Sequence, residues 1–254
     1  MERFDGRRVL ITGAGSGIGQ ATVHRVLAEG GRVVAADISE AGLKATAERA
    51  AADGRGDRLS TAVLDIADEA AARAGVTAAV EALGGLDVLV NAAGILRASH
   101  THETSLDAFN RIIAVNLTGT FLMIREALPA LLRGRAPVVV NFSSTSAAFA
   151  HPYMAAYAAS KGGIQSMTHA IASEYAKQGL RAVCVAPGSV RSGMTDDPGL
   201  PADADMSLFG KLMPAIGEGF APPETVAGVI AMLASEDGAF VTGTEIRIDG
   251  GTHM

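Results

Sequence analysis

Short β-branched runs alternate with longer alanine-rich stretches along the whole chain. The runs are Val9–Ile11, Val33–Ala36, Leu59–Leu64, Leu86–Val90, Val138–Phe142, Ala182–Ala186 and Glu245–Ile248. Such short, continuously apolar segments read as strands buried on both faces. Between them, helical spacing runs over Ile18–Glu29, Glu40–Ala52, Glu69–Leu83, Leu106–Leu132, Tyr153–Lys177 and Glu224–Ala234. Alternation of this kind predicts a parallel sheet, and right-handed crossovers make it doubly wound, with helices on both faces. The expectation is an α/β fold with all seven strands in one sheet. No linker, repeat or low-complexity block divides the chain, so residues 1–254 read as a single domain.

Punctuation agrees with this pattern. Ser39 and Thr104 are expected N-caps, and Pro222-Pro223-Glu224 opens the last long helix where the missing proline N–H costs nothing. Only Ser189–Ala221 has weak periodicity over a long stretch, and loops of that length tend to be functional lids.

The first strand leads directly into Thr12-Gly13-Ala14-Gly15-Ser16-Gly17-Ile18-Gly19, which opens a helix. Glycines let the backbone turn tightly and approach a pyrophosphate, and the helix N-terminus presents free N–H groups. With this turn after its first strand, the fold reads as a Rossmann-type dinucleotide-binding sheet, although glycine in such turns also serves packing alone. Asp37 ends the second strand, with Ile38 beside it. An acid there accepts hydrogen bonds from ribose hydroxyls and repels the 2′-phosphate of NADP. Two charges ~4 Å apart at an effective dielectric of ~20 cost about 4 kcal/mol, roughly a thousandfold in affinity. No basic residue stands at Ser16 or directly after Asp37 to offset this, so NAD is the expected cofactor and NADP the lesser one. A solvated strand-end aspartate is the alternative.

Tyr157 and Lys161 lie one helical turn apart on a predicted helix. A free phenol with pKa ~10 is a poor base at neutral pH, and a nearby cation favours the phenolate. Lowering it to ~7 requires about 4 kcal/mol. Alone, that pair is common by chance. Here Ser144 follows the strand Val138–Phe142, and Asn116 lies in the preceding long helix.

Together with Asp65, Asn91-Ala92-Ala93-Gly94, Ser143-Ser144 and Pro187-Gly188, in this order and spacing, the sequence resembles the short-chain dehydrogenases/reductases over essentially its whole length. The resemblance implies hydride transfer between NAD and the carbinol or carbonyl carbon of a secondary alcohol or ketone. Tyr157 would exchange the proton, Ser144 would hold the substrate oxygen, and Lys161 would depress the tyrosine pKa and bind the nicotinamide ribose. Asn116 would carry a water linking Lys161 to solvent. Gly13, Gly15, Ser16, Gly17, Ile18 and Gly19 would cradle the pyrophosphate. Asp65 and Ile66 would meet the adenine, while Asn91, Ala92 and Gly94 would line the cofactor channel. Pro187, Gly188 and the backbone of Val190 would meet the carboxamide end, with Ser192 where many relatives have threonine. The resemblance also implies a homotetramer, with a dimer as the fallback.

Other features refine the picture. Met194, Leu200, Met206, Leu208, Phe209, Leu212 and Met213 in the lid suit an apolar secondary alcohol or ketone, or simply pack the lid onto the body. Four lid aspartates against Arg191 and Lys211 disfavour a strongly anionic substrate. His151 and His253 are ambiguous. The net charge of −6, with no basic run, argues against nucleic acid and anionic membrane as partners. No metal-ligand cluster stands out. Cys184, the single cysteine, reads as a buried strand residue. No uninterrupted apolar run approaches the ~20 residues that span a bilayer. Met1–Asp5 lacks the pattern of a secretion signal, so a cytoplasmic location is expected. Two competing readings are an NADPH-dependent 3-oxoacyl-thioester reductase and a non-catalytic dinucleotide-binding protein.

Overall fold

The periodicities of the sequence become seven strands: β1 (Arg8–Thr12), β2 (Arg32–Asp37), β3 (Leu59–Val63), β4 (Val88–Asn91), β5 (Val138–Phe142), β6 (Arg181–Pro187) and β7 (Glu245–Ile248). All pair in parallel, in the order β3-β2-β1-β4-β5-β6-β7. The computed structural model describes residues 2–217 and 219–254. Glu218, inside the expected lid, and Met1, in the stretch read for a leader, lie outside the described residues.

Strand alternation sorts the core into two layers. Val9, Ile11, Val88, Val90, Val138, Val140, Val183 and Val185 face one side, with Val23, Val26 and Leu27 of α1 (Gly17–Ala28) and Val226 and Ile230 of α8 (Pro223–Ala234). Leu43 of α2 (Glu40–Ala52) joins this layer. Leu10, Val34, Leu89 and Val139 face the other side, toward α3 (Glu69–Leu83), α5 (Thr120–Leu131) and α6 (Ala155–Tyr175). Covering both faces is what a parallel sheet requires, since its crossovers place helices there.

Several boundaries differ from the sequence expectation, each for a local reason. Thr104 does not cap the fourth helix. Ser105 does, accepting the Ala108 N–H at 3.1 Å, while the Thr104 hydroxyl donates to the His100 carbonyl. The single helix expected over Leu106–Leu132 is three pieces: α4 (Leu106–Ile113), a π-helical turn over Ala114–Gly119, and α5. The extra residue of such a turn leaves little trace in a hydrophobic pattern, and π-turns concentrate at functional sites. Helix α6 begins at Ala155, not Tyr153, because Tyr153 sits in the left-handed region at φ 64°. The weakly periodic lid holds a short helix α7 (Gly193–Asp196) and a 3₁₀ helix over Met206–Leu212.

The stretch Leu106–Leu131 is, by length and composition, apolar enough to cross a membrane, and half of its most apolar window is buried in the fold. A count of uninterrupted apolar runs does not detect it, because Asn110, Arg111, Asn116, Arg125 and Glu126 interrupt it.

At the opposite end of the sheet from the glycine turn, Asp87 ties three strands together. Its carboxylate accepts the Arg8 backbone N–H at 3.0 Å, two guanidinium N–H groups of Arg8 at 3.0 and 2.7 Å, and the Arg135 N–H at 2.7 Å. Burial pushes the Asp87 carboxyl up, and the hydrogen bonds from Arg8 and Arg135 outweigh this, leaving it below its ordinary value of 3.8. The stabilisation is therefore present above that value and is lost as pH falls through the lowered one. Asp87→Asn should cost about 3 kcal/mol at neutral pH, read by urea unfolding. It should also flatten the wild-type loss of stability on acidification, which a pH series of the same unfolding measures.

Candidate active site

The strand order reverses between β1 and β4, and crevices at the carboxyl ends of strands on either side of such a point bind ligands. The glycine turn lies at that end. Gly13 adopts φ +66°, and a Cβ there would stand 2.6 Å from the Ala93 N. A Cβ on Gly19 would stand 2.1 Å from the Gly13 carbonyl oxygen. Only glycine lets the turn fold so tightly against the end of β4. Helix α1 then opens at Ser16 with no side-chain cap, so its first N–H groups are left for another acceptor.

Asp37 faces this turn. One carboxylate oxygen accepts the Gly15 N–H and the other the Ser39 N–H, each at 2.8 Å. Ile38 beside it is exposed. Asp65 accepts the Ala67 N–H at 2.9 Å and lies 3.8 Å from the Arg111 guanidinium. Ile66 turns into the core, where a Cβ on Gly119 would stand 2.8 Å from it.

On the other side of the crevice, Lys161 of α6 is buried and donates to the Phe142 carbonyl at 2.9 Å. Its ammonium lies 5.6 Å from the centre of the Tyr157 ring. Ser144, just past β5, stands beside Tyr157 and accepts the Ser146 N–H at 3.2 Å. Asn116, fully buried in the π-turn, donates to the Ile95 carbonyl at 2.9 Å and to the Ser160 hydroxyl at 3.0 Å, and accepts the Ile95 N–H at 2.8 Å. A Cβ on Gly94 would stand 3.2 Å from Asn116 Oδ1 and 3.6 Å from Lys161 Nζ, so these three converge. Ser160 is a link that sequence reasoning missed, though it stands in the same turn as Lys161. Its hydroxyl donates to the Tyr157 carbonyl at 2.7 Å.

The segment after β6 closes the crevice. Gly188 donates its N–H to the Ile248 carbonyl, and Val190 is buried in a bridge to Ala221. The Ser192 N–H donates to the Thr195 hydroxyl at 2.9 Å, and a Cβ on Gly17 would lie 3.4 Å from the Ser192 Cβ. The loop therefore rests on the glycine turn.

Asn91, expected to line the cofactor channel, has its side-chain amide bound within the sheet. Its amide donates to Asn141 Oδ1 at 2.8 Å, Asn141 donates to the Thr168 hydroxyl at 2.9 Å, and the Cys184 thiol meets that hydroxyl at 3.1 Å. This buried polar layer crosses β4, β5 and β6 in register. An asparagine within the apolar run Val138–Phe142 was its sequence signal. Among the described residues, Asn91 Oδ1 has no partner. Nearby, the Ser143 hydroxyl donates to the Glu245 carboxylate. His151 meets Thr145 and the Phe149 carbonyl at 3.2 Å each, while His253 stacks on Phe149 with ring centres 4.0 Å apart.

The electrostatics depart from the sequence expectation. Burial pushes the Tyr157 phenol up to about 12, and Ser144 pulls it back only in part. Burial also lowers the Lys161 ammonium to about 8. The side chains by themselves therefore keep Tyr157 protonated, since desolvation penalises both charged forms.

A family model described as short chain dehydrogenase matches residues 7–199. The chain belongs to the short chain dehydrogenase family. It is 36% identical over 249 residues to the 3-oxoacyl-(acyl-carrier-protein) reductase of Thermotoga maritima, covering 98% of each. It is likewise 36% identical to the meso-2,3-butanediol dehydrogenase of Serratia marcescens, covering 98% of this chain and 95% of that one. Among solved members, a short chain dehydrogenase from Mycobacterium paratuberculosis bound to NAD superposes with TM-score 0.91 at 29% identity, covering 98% of both chains. One from Burkholderia cenocepacia in complex with NADP gives 0.87 at 30% identity, covering 99% of this chain and 100% of that one. The seven-stranded parallel sheet and the placement of its helices are thus the family's fold.

Asn116 fixes the π-turn against both Ile95 and the turn of α6 that carries Lys161. Asn116→Ala leaves the Ile95 N–H and carbonyl unpartnered, at about 1–3 kcal/mol for such a buried group. A fall of that size in urea unfolding is expected, with the loss smaller in Asn116→Ser.

Proposed function

We propose that this family member is an NAD-dependent dehydrogenase of a secondary alcohol, running in reverse as a ketone reductase. The convergence of Ser144, Tyr157 and Lys161 beside a glycine turn that leads into an uncapped helix carries the reading.

The residues present fit a dinucleotide. Asp37 takes the Gly15 N–H of the tight Gly13–Gly19 turn, while the first N–H groups of α1 have no side-chain cap at Ser16 and face the crevice. Gly15, Gly17 and Ile18 belong to this pyrophosphate cradle. Asp37, Asp65, Ile66, Asn91, Ala92, Gly94, Pro187, Gly188, Val190 and Ser192 would border the rest of the ligand. When bound, the dinucleotide takes up or gives the hydride and, in its oxidised form, brings a positive charge.

Tyr157 gives its proton to a ketone oxygen, or takes one from an alcohol, while Ser144 holds that oxygen. Lys161, with its ammonium near 8, is substantially charged at neutral pH and would bind ribose hydroxyls. Asn116 holds the floor of the site and would carry a water toward Lys161.

Asp37 supports NAD over NADP. Its carboxylate is fixed by two backbone N–H groups, so a 2′-phosphate would meet an oriented negative charge. The alternative activity, NADPH-dependent reduction of a 3-oxoacyl thioester, is favoured by the likeness to the Thermotoga maritima enzyme. The same charge at Asp37 speaks against it.

A small alcohol or ketone is the proposed partner, and the cytoplasm the proposed location. A homotetramer is supported by the exposed Leu106, Phe109 and Phe121 on α4 and α5, an apolar surface unusual on a monomer.

With a panel of secondary alcohols, NADH formation should be seen for at least one. Tyr157→Phe should reduce kcat for that alcohol by about a thousandfold or more, in line with loss of a general acid–base. Undiminished turnover in that variant would reject the mechanism. Asp37→Ala should raise NADP use relative to NAD by at least tenfold, measured as the ratio of kcat/KM for the two cofactors.

A further inference from the structure

Tyr153 is a bulky residue held at φ 64°, in a left-handed conformation that side chains beyond glycine rarely adopt. Such a conformation persists where surrounding contacts over-determine it, and it points to function. The contacts of Tyr153 are specific. Its carbonyl accepts the Ser99 N–H at 2.9 Å. Its hydroxyl accepts the Asp205 N–H at 2.8 Å. Its ring stacks on Phe209 with centres 6.1 Å apart and meets His100 edge-on at 5.1 Å.

These contacts bring three segments together. The loop after β4 also meets the lid directly: Ala98 donates its N–H to the Pro198 carbonyl at 2.8 Å, and His100 Nε2 lies 2.9 Å from the Asp203 carboxylate. Asp205 in turn caps the lid's 3₁₀ helix by accepting the Ser207 N–H at 2.9 Å. The rest of that helix has little hold on the body. Met206 and Leu208 are more than half exposed, and among the described residues the Leu212 carbonyl accepts the Ser189 hydroxyl.

We propose that Tyr153 is the dock that holds residues 198–209 of the lid, a positioning residue that sets how firmly the substrate is enclosed. Tyr153 stands four residues before Tyr157, at the entry to α6, so the lid it holds is anchored to the segment that carries the phenol. This consequence for substrate rests on the reading of Tyr157 given above. The docking itself does not, and the following test reads docking without turnover.

Lys211 offers a tryptic site within the lid helix. In the full chain, wild type should resist cleavage after Lys211. Tyr153→Gly accommodates the positive φ and removes the ring. It should accelerate that cleavage at least tenfold while the melting temperature holds or rises. Tyr153→Phe keeps the stack and should restore resistance to within about threefold of wild type. Phe209→Ala, a partly exposed change on the lid itself, should match Tyr153→Gly and keeps the proposal open to refutation if the glycine variant does not fold. The double variant should be cleaved no faster than the faster single one. Three results would overturn the proposal: unchanged cleavage in Tyr153→Gly or Phe209→Ala, acceleration that merely follows a falling melting temperature, or multiplicative effects in the double variant.

Discussion

A half-buried phenol and a buried ammonium lie side by side, and neither is at ease there in its charged form. Burial lifts Tyr157 to about 12 and lowers Lys161 to about 8. Bringing the phenol to ~7 then requires more stabilisation of the phenolate than a free tyrosine at ~10 would need, at about 1.4 kcal/mol per pH unit. Burial outweighs what the neighbouring side chains return to it. On the proposed function the remainder comes with the oxidised cofactor, whose charge arrives only when the reaction is ready to proceed. A tyrosine that stays protonated until then would not act as a base without its hydride acceptor.

The rest of the molecule exists to hold that pair in register with the glycine turn. Parallel pairing puts the carboxyl ends of β1, β4, β5 and β6 at one edge, so Gly13, Gly94, Ser144 and Pro187 meet although they are far apart in sequence. The π-turn seats Asn116 under Lys161, and the buried asparagine–threonine layer clamps β4 to β5 and α6. At the far edge, Asp87 fixes β1 and β4 and the approach to β5 through charged hydrogen bonds. Polar groups inside a parallel sheet are costly unless paired, and here the pairing spans strands.

Much of this was legible in the residues. β-branched runs and helical spacing marked the strands and most long helices, because the central strands are buried on both faces, whereas the edge strands β3 and β7 are partly exposed. The glycine turn and Asp37 could be placed because they follow strand ends, and Ser144, Tyr157 and Lys161 through the order and spacing that resemble the family's. What stayed hidden depends on long-range geometry. The π-turn adds one residue without changing the apolar stripe, and Ser105 and Thr104 are equally good caps on paper. Tyr153 gave no warning, since a positive φ at a bulky residue is set by contacts with Phe209 and His100 and not by its neighbours in sequence. The direction of the Tyr157 shift was also hidden, because a nearby lysine argues one way and desolvation the other.

Tyrosinate absorbance, titrated as the difference between wild type and Tyr157→Phe, reads the ionisation of this one phenol directly. Free protein should show no Tyr157 ionisation below pH 10, and saturation with NAD+ should bring the transition down by several pH units. The same titration curve with and without the oxidised cofactor would contradict the account.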